Sequence, residues 1–469
     1  MKHLNLLFLL LVLGNITASA QSTNSSQELV NLIQTKKWFE IENYYQQHKD
    51  SIDNEIVKPY YLAMTGEVFN RPYEAINAYE QLIDTNPLKM DASALTATFG
   101  QPCAELYFNV QEYAKGEELC RKLIAMFQKD TIVNSEIKSS AIQEWTQNIE
   151  SFKQFAKNIP KLTITKNDVD SAGEVKLLPD KNKPGNGIFF DAKWNGINLR
   201  TWFDTGASAC YIYNRAIAEK IGVSLNTKDT TLFNTGTIRV LSGVVDSLKL
   251  GEFTIKNIPV SVSIETANPA DSLQVVCDSA MNSNFEIILG TSVIRHLGVV
   301  EFDFVKNTMS FPQKSVTVNK RNLYIGIEAP LWRILYMNTE ICNANFLTNF
   351  DTGMEGKGLT INTDFFEKNK QCIFTEAEAK QVKSSAGSCN EASMSNRYEY
   401  KCPQIDIKIN DQIITLINDC SVAKDKENDE KLGAPGGGNL GNAIFKYCKK
   451  ATFDFDNMVF SVEKKENVK

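Results

Sequence analysis

The chain has 469 residues, 43% hydrophobic and 23% charged, which suits a folded protein of two to three domains with sizeable cores. Lys and Arg total 50 against 56 Asp plus Glu, a formal net charge of −6 that gives no electrostatic reason to bind nucleic acid or an anionic membrane. Only three His are present, with no HExxH, paired CxxC or Asp-rich calcium loop, so a His-based nucleophile is poorly supplied and neither a metal nor a cofactor is predicted.

Residues 1–20 carry a basic start at Lys2, an apolar run from Leu4 to Leu13, and Ala18-Ser19-Ala20 as a small-residue cleavage site. This reads as a secretory signal peptide, and the expected protein is exported, periplasmic or secreted, after cleavage near Ala20. No Cys follows the run to hold a lipid, and no later apolar stretch of about 18 residues offers a membrane span.

Residues 21–160 show helical periodicity, through Leu29, Ile33, Ile41 and Tyr45 and again through Ala75, Ile76, Tyr79, Leu82 and Ile83 up to Asn86-Pro87. Phe39 and Tyr73, Glu40 and Glu74, and Tyr45 and Tyr79 each lie 34 residues apart (73 minus 39, 74 minus 40, 79 minus 45). That period resembles the tetratricopeptide repeat, with a looser third copy at Tyr113 to Phe127 and a capping helix at Ser135 to Ile159. Such arrays often offer a concave face to a protein partner; a spacer or pro-like role is the alternative.

Lys161 to Gly187, rich in Asp, Lys, Pro and Gly, reads as a crossing with one strand at Leu162 to Thr165. Beyond it the pattern turns to strands, and one unit occurs twice, as residues 161–315 and 316–469, joined through Pro312 to Pro330. Phe203-Asp204-Thr205-Gly206-Ala207 in the first copy matches Phe350-Asp351-Thr352-Gly353-Met354 in the second, an offset of 147 residues (351 minus 204). The run before each Asp alternates like a hairpin. Downstream, Ile288-Leu289-Gly290 matches Asn439-Leu440-Gly441, and Phe302-Asp303-Phe304 and Phe453-Asp454-Phe455 each begin 12 residues after their glycine (302 minus 290, 453 minus 441).

With these residues assembled, the chain from about 160 to 465 resembles the aspartic peptidases of the pepsin and retropepsin kind. The resemblance implies an all-β bilobal fold of two related barrel-like lobes behind an α-helical repeat array. It also implies a catalytic pair at Asp204 and Asp351, with Thr205, Gly206, Thr352 and Gly353 as supporting turns. Leu289, Gly290, Leu440 and Gly441 match the apolar-Gly segments of the family's psi-shaped loops, and apolar side chains are implied on either side of the scissile bond. The chemistry is consistent with the residue types: like charges about 3 Å apart cannot both ionise, so the pair shares a proton and supplies an acid and a base side by side. The Thr hydroxyls are expected to bond across to the partner turn, and Gly lets backbone approach a carboxylate closely.

Thr231 to Val245 is the candidate flap over a substrate, with Phe233, Thr235 and Gly236 at its tip; an ordinary surface hairpin is the alternative. The second-lobe counterpart, Gln381 to Tyr400, is rich in Ser and Asn and reads as a long loop. Met354, where the first copy has Ala207, predicts a second turn that is distorted or less well hydrogen-bonded. Gly436 to Gly441 satisfies the GxGxxG pattern, but no apolar strand precedes it and Gly441 is already explained by the repeat. Disulfides are expected among Cys372, Cys389, Cys402 and Cys420; for Cys103, Cys120, Cys210 and Cys277, bridges and buried free thiols are both open. The leading functional expectation is an exported aspartic endopeptidase acting on peptide or protein substrates. The rivals are a catalytically silent peptide-binding module and a helical partner-binding protein with the lobes as support.

Overall fold

Helices fill the first part of the chain because its apolar residues recur at helical spacing and its turns carry suitable caps. In this computed structural model, residues 24–52, 56–86, 88–166, 173–179, 187–233, 238–263, 285–312, 320–327, 333–354, 356–385, 394–432 and 436–466 are described. The expected signal peptide lies outside them. Helices α1 (Asn24–Gln34), α2 (Trp38–His48), α3 (Val57–Val68) and α4 (Pro72–Thr85) come first. Proline opens α4, where its missing N–H costs nothing, and Asn86 ends it in the left-handed region at φ 38°. Ala92–Leu95, a π-helical turn at Thr96–Gly100 and Gln101–Asn109 follow as consecutive helical pieces. Last come α5 (Tyr113–Lys129) and α6 (Ser135–Asn158), the latter capped by Asn134, whose side chain accepts from the Glu136 and Ile137 amides. Gly116 brings α5 against α6: a Cβ there would collide with the Phe152 ring.

The helices are present, but the 34-residue correspondence is only partly shared in packing. Tyr45 and Tyr79 are both buried, whereas Tyr73 is 50% exposed where Phe39 is half-buried against Phe69. Among the described residues no helix is long and apolar enough to cross a membrane.

The chain divides into two compact units between Lys161 and Leu162. In the second, the duplicated strands take the same wiring twice. In the first lobe β3 (Phe189–Trp194) and β4 (Ile197–Phe203) form a hairpin, turned at Asn195 and Gly196, both at positive φ. β5 (Cys210–Ile212) is followed by β6 (Ser224–Phe233), β7 (Ile238–Leu250) and β8 (Phe253–Ser263), paired in succession. β9 (Ile287–Leu289) then returns parallel to β4, with Phe203 opposite Leu289. In the second lobe β13 (Leu335–Ile341) and β14 (Ala344–Asp351) form the hairpin, and β15 (Leu359–Ile361) follows. β16 (Ala379–Ser385), β17 (Met394–Ile409) and β18 (Gln412–Ala423) pair in succession, and β19 (Gly438–Gly441) returns parallel to β14, with Phe350 opposite Leu440.

The two copies are joined by their repeated Phe-Asp-Phe segments. β10 (Val299–Asp303) pairs antiparallel with β20 (Cys448–Asp454), from Val299 opposite Asp454 to Asp303 opposite Lys450, and β21 (Val459–Lys464) flanks β20. Above this seam Phe203 meets Phe302 edge-on at 5.1 Å and Phe350 stacks on Phe453 at 5.3 Å. Each such ring pair adds about 0.5–1.5 kcal/mol beyond the area it buries. Phe203 and Phe350 belong to β4 and β14, the strands that lead into Asp204 and Asp351.

Three expectations change. The predicted crossing contains a second strand, β2 (Val175–Leu178), besides β1 (Thr163–Lys166), and the predicted inter-lobe connection contains β12 (Leu323–Ile325). Both are too short for a period to show, and pairing with β3 and β13 makes them strands. The segment read as a long loop is a hairpin: Ala379 faces Tyr400 and Ser385 faces Met394, with 386–393 outside the described residues. Cross-strand pairing overrides its polar composition.

The cysteines agree in part, Cys372 being bridged as expected. Cys342 and Cys372 form a disulfide, while Cys402 and Cys420 are free buried thiols, as are Cys103, Cys120, Cys210 and Cys448. Cys402 and Cys420 face each other across β17 and β18 inside the sheet, not on the polar loops that suggested bridges. Burial pushes the Cys420 thiol well up. Cys277 and Cys389 lie outside the described residues.

Candidate active site

Each Asp-Thr-Gly begins where a buried strand runs out. The Asp204 amide donates to the Leu289 carbonyl at 3.1 Å, so the strand below fixes the first turn. The turn then closes on its own carboxylate, with the Gly206 amide donating to Asp204 Oδ1 at 2.8 Å. In the second lobe the Gly353 amide donates to Asp351 Oδ1, also at 2.8 Å. The expected distortion from Met354 is therefore absent at the carboxylate, and the amides of Ala207 and Met354 support their carboxylates in the same way. Met supplies the backbone amide here as well as Ala does, while its carbonyl is less well hydrogen-bonded, 3.5 Å from the Asn442 amide against 2.8 Å from Thr291 to Ala207.

The two threonines lock the turns together. The Thr205 amide donates to Thr352 Oγ1 at 3.0 Å, and that hydroxyl donates to the Phe203 carbonyl at 2.8 Å. Reciprocally, the Thr352 amide donates to Thr205 Oγ1 at 3.0 Å, and the Thr205 hydroxyl donates to the Phe350 carbonyl at 2.6 Å. Both threonines are fully buried, so the four bonds are shielded from water. The glycines are needed for a steric reason. A Cβ on Gly206 would collide with the Asp351 carboxylate, and one on Gly353 with that of Asp204.

Asp204 and Asp351 are thus brought together, and their carboxyls hydrogen-bond to each other. Burial and the neighbouring Asp351 charge hold Asp204 well above the ordinary carboxylate range, and burial raises Asp351, opposed by the Gly353 and Met354 amides and the Asp204 bond. Both ionisations belong to the pair, and two buried carboxyls this close can share one proton.

Leu289, Gly290, Leu440 and Gly441 lie beneath the turns, all but Gly290 in β9 or β19 and Gly290 at the end of β9. A Cβ on Gly290 would collide with the Ala209 carbonyl. Sequence reading missed the residues that follow these glycines. Thr291 donates from its amide to the Ala207 carbonyl at 2.8 Å and from its hydroxyl to the Arg333 carbonyl at 2.8 Å. Asn442 donates from its side-chain amide to the Thr352 carbonyl at 3.2 Å, while its backbone amide reaches Met354 O only at 3.5 Å. Their adjacency to the matched glycines was the available signal.

Of the flap candidates, Phe233 ends β6 opposite Ile238, which places a hairpin at the predicted position. Thr235 and Gly236 lie outside the described residues. No group of three or more His, Cys, Asp or Glu that could hold a metal occurs among the described residues.

A model of the aspartyl protease family matches residues 190–293, which include Asp204 and stop short of Asp351. Among solved structures, the chain is similar to a retropepsin-like aspartic protease from Rickettsia conorii at 19% identity, over 29% of this chain and 84% of that one, with a TM-score of 0.19. It is also similar to basic 7S globulin from soybean at 9% identity, over 63% and 95% of the two chains, with a TM-score of 0.34. Conglutin gamma, a basic 7S globulin from lupine seeds, matches at 9% identity over 64% and 96%, with a TM-score of 0.35. No curated protein matches. The family match and the repeated wiring give helices followed by an aspartic-peptidase-like fold.

Proposed function

We propose that this chain is an exported aspartic endopeptidase in which Asp204 and Asp351 activate one water for attack on a peptide bond. The observation that carries the reading is the reciprocal threonine lock, which holds two carboxyls in hydrogen-bond contact. Asp351, ionised, takes a proton from water as it attacks the carbonyl carbon; Asp204 gives its proton to the carbonyl oxygen. The tetrahedral adduct collapses as Asp351 gives its newly gained proton to the nitrogen, which leaves as an amine, and Asp204 takes a proton from an adduct hydroxyl, which restores the starting proton arrangement of the pair. An extended peptide would lie across the cleft beneath the β6–β7 hairpin. In this reading the signal peptide is removed near Ala20, and the helical part is a tetratricopeptide-like surface for a protein partner.

The test uses the chain from residue 21 onward with unfolded protein or a peptide library from acid to neutral pH, with and without pepstatin, beside Asp204→Asn. Cleavage that is inhibited and falls roughly a thousandfold in the variant supports the reading. Cleavage that persists unchanged in the variant rejects the pair, and peptide binding without turnover at any pH supports a silent binding module instead.

A further inference from the structure

We infer that Lys357 and Glu399 are positioning residues of the second lobe: their ion pair fastens the β16–β17 hairpin to the segment after the second Asp-Thr-Gly, and so keeps the Asp351 turn in its reacting position. This deepens the peptidase reading above and rests on it.

Both carboxylate oxygens of Glu399 are engaged. Arg397 donates from Nε to Oε1, and Lys357 donates from Nζ to Oε2. The Glu399 side chain is 2% exposed, that of Arg397 9% and that of Lys357 24%, so solvent and salt screen the group weakly. Arg397 and Glu399 stand two apart on β17, where they share a face, opposite Val382 and Lys380 of β16. Lys357 comes from outside the hairpin, six residues after Asp351 (357 minus 351). Burial works against both charges; even so, the Lys357 and Arg397 charges hold Glu399 below the ordinary carboxylate range, while burial holds Lys357 below its own.

From Lys357 the contacts run on to the Asp351 turn. The Lys357 carbonyl accepts from the Ala443 amide at 3.3 Å, and the carbonyl of the next residue, Gly358, accepts from the Gly441 amide at 2.9 Å. Gly441 is opposite Asp351 in the β14–β19 pairing. The joint is tight: a Cβ on Gly441 would collide with the Lys357 carbonyl. In the first lobe the carbonyl packed against the matching Gly290 is that of Ala209, whose methyl can carry no such link. The second turn has more use for one, since its Met354 carbonyl is 3.5 Å from the Asn442 amide where Ala207 has Thr291 at 2.8 Å. Stability is a poor reason for a buried ion pair, because apolar replacements are often neutral or stabilising. Charged hydrogen bonds to both oxygens of one carboxylate do fix a geometry.

The test compares the chain from residue 21 onward with its Lys357→Met, Lys357→Gln and Lys357→Arg variants, with Asp204→Asn as the blank. Lys357→Met leaves Glu399 paired with Arg397, so no uncompensated charge is buried. Steady-state cleavage of a fluorogenic peptide gives kcat and KM per folded molecule, the folded fraction being read by near-ultraviolet circular dichroism. The expected result is a kcat about tenfold lower in Lys357→Met and Lys357→Gln with KM changed less than about threefold, and a kcat in Lys357→Arg within about threefold of wild type. A kcat per folded molecule that Lys357→Met leaves unchanged overturns the inference and leaves the peptidase reading intact. So does a loss confined to KM, or an equal loss in Lys357→Arg. Absence of any wild-type cleavage above the blank overturns both. Should Lys357→Met not fold, Lys357→Gln against Lys357→Arg decides by the same readout.

Discussion

The two lobes share a backbone plan and differ in what they hang on it. Each contributes a carboxyl bonded to its own Gly amide at 2.8 Å and a Thr bonded to the partner strand, so the machinery is close to two-fold symmetric. Beside that machinery the symmetry fails. The first lobe packs Trp202, Ile288 and Tyr211 where the second has Asn349, Asn439 and Thr360. The first turn is supported by Thr291 at 2.8 Å, and the second by a longer Asn442 contact at 3.5 Å to Met354. The lesson is that a duplicated site keeps its paired carboxyls and diverges in the residues that support them.

The comparison can be broken most forcefully at the glycines. Gly206→Ala and Gly353→Ala each drive a methyl into the opposite carboxylate, so both should lower kcat/KM at least a hundredfold, read by steady-state cleavage of a fluorogenic peptide. A tolerated change at one glycine alone would show that the turns are not equivalent. Next come the threonines: Thr205→Val and Thr352→Val each remove two buried bonds and should cost about 2–3 kcal/mol in denaturant unfolding, by similar amounts.

Titration offers a gentler break. Both carboxyls have folded-state values raised by burial, so each contributes stability present below the unfolded carboxylate range and lost as pH rises through its folded value. Asp204→Asn replaces a carboxyl whose folded-state value is raised by burial with a neutral amide and should raise Tm by a few degrees, ~1 kcal/mol, at neutral pH and by less in acid. For the wild type, activity should follow a bell, falling in acid as the pair gains its second proton, and at higher pH, beyond the ordinary carboxylate range, as it loses both. The smallest effect expected is at the turn supports: Asn442→Ala should lower kcat by about fivefold to tenfold with KM little changed, and Thr291→Ala by more because its bonds are shorter.

What the sequence revealed was local and repeated. The Asp-Thr-Gly pair, the supporting glycines and the Phe-Asp-Phe segments sit at fixed spacing, and the structure brings all of them to one seam. The β16–β17 hairpin was hidden because Lys383, Ser384 and Asn396 are poor strand signals and only pairing makes them strands. β2 and β12 were too short to carry a period. The contrast between Trp202 and Asn349 follows from the 147-residue offset, but its meaning needs the register that sets Ile288 and Asn439 beside them. Likewise, Cys402 and Cys420 looked like loop residues until β17 and β18 placed them in the core.

The central claim is that Asp351, beyond the reach of the family match, acts as one half of a single site with Asp204. It is tested most directly by the rate of peptide cleavage by Asp351→Asn at the pH optimum of the wild type. The structure predicts a loss of roughly a thousandfold with the fold retained, equal to that of Asp204→Asn. Wild-type turnover in Asp351→Asn would contradict it.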